Sequence, residues 1–439
     1  MCQFGVGCDA GRVLMALRNL LADTRPLQNP HFRRLWSANI ITVIGAQMTL
    51  VAVPAQLYSM TGSSAYVGLS GIFGLVPLLI FGLWGGALAD ALDRRRLLIV
   101  TVIGIVVTSS LFFVWTALGN TNVWLILLTF SAQQAFFAAN QPARISILPQ
   151  LLPSGQIPAA NALNMTVISA GGIAGPLIGG ALIPVLGFQW LYFADILLLL
   201  PTLLAVIGLP SLVPAGAQKK KAPGWRSVIE GLVYLMGHKI LLMSFVVDLI
   251  AMIFGMPRAL FPQIAHESFG SSMSGGLAFG ILYAAIPLGS ALGGVFSGWV
   301  SRIRHHGLAV ILCIIAWGLS MTGFGIAVHF ATGAPDHWLW IGAFFLVLGG
   351  AADIASAAFR QTMLLTAASD EVRGRLQGVF FVVVSGGPRI ADVAHGAAAV
   401  YVGTALATGG GGILVVLLVL LCALLVPAFT RYRVEPSVE

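Results

Sequence analysis

Charge is what this chain has least of. Only 9% of its 439 residues are Asp, Glu, Lys or Arg, where a soluble domain carries roughly a quarter. A water-soluble globule with an ordinary charged surface is therefore excluded. Cysteine is scarce too. Cys2, Cys8, Cys313 and Cys422 show no paired spacing, so no disulfide framework is expected. The eight histidines show no ligand spacing, and no metal site is expected. There is no G-x-x-x-x-G-K-[ST], so ATP drive within the chain has no support, and neither H-E-x-x-H nor G-x-S-x-G is present. The reading is a non-enzyme without a cofactor; a membrane-embedded enzyme is the alternative from another class. Period-two alternation is missing, which argues against a membrane barrel. No repeated pore loop marks a channel. The first thirty residues lack the apolar core of a signal peptide.

What is there is apolar. Hydrophobic residues make up 58% of the chain, and spanning helices need about 20 such residues each. Twelve spans can be drawn: 35–58, 66–89, 97–118, 122–143, 160–185, 188–208, 240–263, 276–299, 307–328, 338–359, 376–402 and 409–430. An even count puts both termini on one side. Alternate loops then collect nearly all the cations: Arg94 to Arg96, Arg144, Lys219 to Lys221, Arg226, Arg302, Arg304, Arg373 and Arg375. By the positive-inside rule these loops and both termini are cytoplasmic. The net charge of +8 is spread through short loops as orientation requires, so no nucleic-acid partner is expected. An odd count would destroy the separation.

The expected organisation is a cytoplasmic segment 1–34, a six-helix half 35–208, a basic linker 209–239, a second half 240–430 and a tail 431–439. A surface helix is expected near 227–238. The fold class is all-α, a monomer embedded in the inner (plasma) membrane. The halves echo each other. Gly68 and Gly86 correspond to Gly280 and Gly298, Arg144 to Arg360, and Gly171-Gly172 to Gly386-Gly387. Such duplication places a substrate site between halves, near mid-bilayer.

The most distinctive loop is Gly86-Ala87-Leu88-Ala89-Asp90-Ala91-Leu92-Asp93-Arg94-Arg95-Arg96, squeezed between two membrane-length apolar runs. It is either a topogenic basic loop or a gate. It resembles the signature between helices 2 and 3 of the major facilitator superfamily, G-x-x-x-D-R-x-G-x-[x]-R-R. Gly86, Asp90, Arg95 and Arg96 fit; Ala91 and Asp93 depart from it. The resemblance implies a gating motif at Gly86, Asp90, Arg94, Arg95 and Arg96. A second motif is Gly171-Gly172-Ile173-Ala174-Gly175-Pro176-Leu177-Ile178-Gly179-Gly180 in span 5. Small residues on one face allow close helix approach, and Pro weakens the backbone ladder. The pattern is ordinary small-residue packing or the span-5 signature of the superfamily's exporters and antiporters, which it resembles at Gly171, Gly175, Pro176, Gly179 and Gly180. Shorter pieces, among them Pro142-Ala143-Arg144 and Leu282-Tyr283-Ala284-Ala285-Ile286-Pro287, resemble the drug:proton antiporter branch that includes the enterobactin exporter.

Charges inside spans are costly and default to functional candidates. They are Asp195, Asp248, Arg258, Asp353, Arg389 and Asp392. Asp248 lies about 13 Å along the helix from Lys239. Arg389 and Asp392, three residues apart, can pair on one helix face. These six are candidates for proton coupling or substrate contact. For Asp195 and Asp353 a structural role is the favoured alternative. Arg144 and Arg360 are candidates for a cytoplasmic gate. Phe73, Phe136, Phe137, Phe193 and Phe254 are candidate pocket aromatics. The function expected is secondary active export of amphipathic small molecules, multidrug efflux by proton antiport. The alternative is export of a siderophore-like anion, favoured by Arg258 and Arg389.

Overall fold

The computed structural model describes residues 23–211, 225–331, 333, 337–367 and 370–433. The side chains at 83, 85–91, 225–227, 301, 367, 370–375 and 377 lie outside that description. Ten of the described helices are long and apolar enough to cross a membrane. Helix α1 is Pro30–Thr61, α2 Ser64–Ala91, α3 Arg94–Ala117, α4 Val123–Leu151 and α5 Ile157–Ile207. A short α6, Trp225–Gly237, precedes α7 (Lys239–Gly255) and α8 (Phe261–Glu267). Then come α9 (Leu277–Val295), α10 (His306–Phe330), α11 (His337–Ala367), α12 (Asp370–Leu425) and a terminal turn α13 (Pro427–Thr430).

Local chemistry sets the ends. Asn29 accepts from the Phe32 and His31 amides with Pro30 at the first helical position, which starts α1. Gly62, at φ 64°, stops it. Asp93 caps α3 through the Arg95 amide, and Asn122 caps α4 through the Trp124 amide.

The two longest helices are folded double. Gly187 in α5 has φ 78° and Gly403 in α12 has φ 79°, a left-handed conformation that glycine adopts without cost. Before Gly187, Gly171, Gly175 and Gly179 meet Val43, Gln47 and Met48 in rising order. After it, Asp195 meets Thr49 and Thr202 meets Thr42, in falling order. The chain therefore turns back on itself across α1. The same holds at Gly403, where Gly411 packs onto His395.

Two groups of helices result. Within residues 30–207, α1 packs on α5, α2 on α4, and α3 on both α4 and α5. Within 239–425, α7 and α10 pack on α12, and α9 and α10 on α11. The groups meet along α2 against α12 and α5 against α9. Glycine sets how close they come. A Cβ on Gly180 would lie 2.6 Å from Gly280 Cα, and one on Gly68 2.6 Å from the Asp392 carbonyl oxygen. The outer surface is apolar; Val100, Leu204 and Leu424 are more than half exposed, as lipid contact requires.

Two expected elements differ. Span 7 is not continuous: α7 ends at Gly255, and Pro257, which cannot donate a backbone hydrogen bond, opens a 3-10 turn Arg258–Leu260. Span 8 ends at Val295 and passes into a 3-10 turn Ser297–Arg302. The surface helix expected at 227–238 is found as α6. The lysines Lys219 to Lys221 lie outside the described residues.

Candidate functional site

Between the two groups lies a chamber with two connected lobes that share Leu50, Phe130 and Arg389. The smaller lobe, about 70 Å³, is lined by Arg258, Tyr283, Arg389 and Asp392. Arg258 comes from the turn where α7 breaks, so its guanidinium reaches the interface rather than running along a helix face. Its Nε is buried without a partner, and its carbonyl accepts from the Tyr283 hydroxyl at 3.1 Å. Arg389 projects from α12 over the Phe130 ring, 5.5 Å from the centroid, a cation–π arrangement. Gly74 leaves room for it; a Cβ there would lie 3.1 Å from Arg389 Cζ.

Spacing allowed Arg389 and Asp392 to pair, yet they form no ion pair within 4.0 Å. Asp392 is 6% exposed and makes neither hydrogen bond nor ion pair with any described residue. Three residues along a helix turn the two side chains about 60° apart, and Arg389 is drawn instead toward Phe130. The lobe thus holds two cations against one acid. Nothing else charged lines it.

The larger lobe, about 260 Å³, is lined by Gln47, Gln133, Gln134, Phe137 and Asp195, with apolar Leu50, Leu78 and Leu199. Asp195 is 1% exposed and forms no ion pair with any described residue, although Arg389 lines the same lobe. Its Oδ2 accepts from Ser109 at 2.8 Å and Thr49 at 2.9 Å, while Oδ1 is buried without a partner. Of the aromatic candidates, Phe137 lines this lobe; Phe136 instead packs on Gly104, Phe193 on Trp190 and Phe73 on Trp124.

Asp248 and Arg360 are joined in an ion pair between α7 and α11, with side chains 3% and 6% exposed. From sequence alone they were separate candidates, Asp248 for coupling and Arg360 for a cytoplasmic gate. Arg144, the position matching Arg360, has no acid. It donates to the amide oxygens of Asn39 and Asn140. Asp353 lies half-buried on α11 and is not among the chamber residues.

The span-5 glycines form a close face. A Cβ on Gly171 would lie 2.4 Å from Val43 Cγ1, and one on Gly175 2.4 Å from Gln47 Cβ. Pro176 sits in the interface with α9, where its carbonyl oxygen would be 2.7 Å from a Cβ on Gly280. One face of this stretch therefore packs within its own group, and the next packs across to the other.

Of the basic loop, Gly86 and Asp90 fall in α2, their side chains outside the description. Arg94 donates to the Ser146 carbonyl at 2.9 Å and Arg95 to the Ile207 carbonyl at 2.6 Å. Arg95 thus caps the last residue of α5, as helix C-termini favour, and Arg94 meets α4 in its last two turns, both within their own group. Arg96 is exposed.

Sequence reasoning missed Thr49, Ser109, Phe130 and Tyr283. Hydroxyls and aromatics are common on apolar helices, and nothing local distinguishes the ones that face a chamber.

The family model described as transmembrane secretion effector matches residues 22–438. The chain is similar to the enterobactin exporter EntS of Shigella boydii serotype 18 (strain CDC 3083-94 / BS512), 29% identical over 359 residues that cover 80% of this chain and 81% of that one. It is 28% identical, over the same shares, to the enterobactin exporter EntS of Escherichia coli O1:K1 / APEC. Among solved structures it resembles the nucleoside transporter NupG (TM-score 0.70, 12% identity, 92% of this chain and 100% of that one) and a D-xylose-proton symporter (0.69, 13%, 92% and 100%). At such identities the likeness to solved structures establishes fold alone. By its family match along nearly the whole chain, this protein belongs to the transmembrane secretion effector family and is a membrane transporter of the major facilitator superfamily.

Proposed function

We propose that this protein exports amphipathic organic anions, siderophore-like in chemistry, by proton antiport. The observation that carries the reading is the pairing of Arg258 and Arg389 on one small lobe against the single carboxylate of Asp392. A buried site with surplus positive charge favours an anionic ligand and costs most when empty. The relatives named enterobactin exporter support the same class. Apolar walls around the larger lobe suit the body of an amphipathic molecule.

Alternating access supplies the cycle. The fold-backs at Gly187 and Gly403 in two of the ten long helices support a reading of twelve crossings, six in each half. An even count and the cation-rich loops support cytoplasmic termini. The two hydrogen bonds seen between the groups, Tyr58 to Glu267 at 3.2 Å and Ser64 to Gln263 at 2.6 Å, are at the end away from the termini. Gly180 and Gly68 hold the same end tight. In this reading the outer gate is closed and the chamber faces inward. Asp195 and Asp392, buried without cations in contact, are the carboxylates suited to carry the proton.

Multidrug efflux is the second reading, favoured by the Leu50, Leu78, Phe137 and Leu199 walls. A deletion strain separates the two. Anion export predicts intracellular accumulation of a siderophore with unchanged drug tolerance; efflux predicts lost drug tolerance. Inverted vesicles sharpen the test. Uptake of a catecholate anion should fall at least tenfold in Arg389→Gln, and wild-type uptake in that variant would overturn the reading.

A further inference from the structure

A cavity of about 290 Å³ lies wholly within the first group of helices, at the end that bears the chain termini. Its polar wall is Trp36, Asn39, Gln141, Arg144, Asn161 and Asn164. No acidic residue lines it. Arg144 has five N–H donors. Its described hydrogen bonds use two of them, Nε to Asn140 Oδ1 at 2.8 Å and Nη1 to Asn39 Oδ1. Both acceptors are neutral amides. The Trp36 indole N–H is buried without a partner. The side-chain amides of Gln141, Asn161 and Asn164 make no hydrogen bond to any described residue. Two donor-only groups, the Arg144 guanidinium and the Trp36 indole, therefore border this space beside three amides that can donate or accept, and the guanidinium is a full positive charge.

The matching position in the second group is built differently. There Arg360 meets the carboxylate of Asp248, and little space is left; the cavity beside that pair is about 10 Å³. Asn39 on α1 takes the place that Asp248 takes on α7. One half supplies the anion from its own chain. The other supplies the cation, the spare donors and room for a ligand.

We propose that the cavity beside Arg144 binds the anionic head of an amphiphile, a phosphate or carboxylate on an apolar body, which completes the pair that Asp248 completes for Arg360. The apolar body lies along Met165 and Ile168, which are 59% and 46% exposed at the cavity wall. These two stand one and two helical turns from Gly172, which faces Pro287 of α9, so they border the opening between the groups. The head can belong to a membrane phospholipid or to a water-borne amphiphile. The site is separate from the Arg258/Arg389 lobe and stands whatever the transported substrate is.

The test is thermal unfolding of the full chain in a neutral detergent with decyl phosphate, decanol or inorganic phosphate added. Decyl phosphate should raise Tm by several degrees, and decanol should not. The shift should vanish in Arg144→Gln. It should also vanish in Asn39→Asp, whose new carboxylate occupies the site from within and whose ligand-free Tm should equal or exceed wild type. It should persist in the Arg258→Gln/Arg389→Gln double variant. A shift that survives Arg144→Gln and Asn39→Asp, or that only the double variant removes, overturns the proposal and places the anion in the chamber. Nanodiscs of phosphatidylcholine with and without phosphatidylglycerol then separate the sources. An Arg144-dependent rise in Tm with phosphatidylglycerol identifies a lipid occupant; a rise with decyl phosphate alone identifies a water-borne one.

Discussion

Arg144 and Arg360 occupy matching places in the two groups of helices, and only Arg360 has an acid. Arg360 and Asp248 neutralise each other in a nearly dry site. Arg144 is held by two amide oxygens beside an open cavity. The same contrast recurs in the chamber with the halves exchanged. Asp195, in the first group, accepts from two hydroxyls and shares its lobe with Arg389 alone, whereas Asp392, in the second, shares its lobe with two arginines. The contrast is that one buried charge of each kind is met by an opposite charge nearby, and the other is hydrogen-bonded only by neutral groups.

The largest effect should come from splitting the closed pair. Asp248→Asn or Arg360→Gln alone strands a buried charge and should cost about 3–5 kcal/mol, seen as sharply lower protein abundance on immunoblot and a lower Tm. The double variant should recover most of it. Equal damage in the single and double variants would break the claim that this pair is structural. Gly175→Leu comes next. The side chain would have to enter the space held by Gln47 Cβ, 2.4 Å from the first added carbon. Export should be abolished with at least part of the protein still inserted, read as transport per unit of protein.

Two smaller tests compare the halves directly. Gly171 faces the stiff β-branched Val43 at 2.4 Å, while Gly387 faces the flexible Met252 at 2.8 Å. Gly171→Ala should destabilise the protein more than Gly387→Ala, by about 1 kcal/mol or more, read as the lower Tm of the two. Asp195→Asn should flatten the dependence of efflux on an imposed pH gradient while leaving protein abundance near wild type, because the amide keeps the Thr49 and Ser109 contacts through its oxygen. A pH dependence unchanged in both Asp195→Asn and Asp392→Asn would move coupling elsewhere. Arg144→Gln without ligand completes the comparison of the two arginines. Losing hydrogen bonds to neutral amides should cost about 1.5 kcal/mol, clearly less than Arg360→Gln.

Much of this was legible in the chain itself. Hydrophobic run length and scarce charge identified membrane helices, because lipid tolerates little else. Gly171 to Gly180 announced a close-packed face, and α1 is the helix it meets. The basic loop at Arg94 to Arg96 was legible as a topogenic loop or a gate; that Arg94 and Arg95 donate to carbonyls of α4 and α5 was not. Pairing among buried charges was not legible. Arg389 and Asp392 are neighbours in sequence and do not pair; Asp248 and Arg360 are far apart and do. The break at Pro257, which delivers Arg258 to the chamber, was hidden inside an unbroken apolar run.

Composition and the period of apolar residues were thus enough to fix the solvent, the helices and the small-residue faces, since these depend on each residue's own transfer energy and volume. Which charges meet, which carboxylate is left without a partner and which arginine stands beside an empty space were decided only in three dimensions. Those properties belong to pairs of residues on different helices, Asp248 with Arg360 and Asn39 with Arg144 among them, and a coulombic or hydrogen-bond partner is set by distance through space, not along the chain.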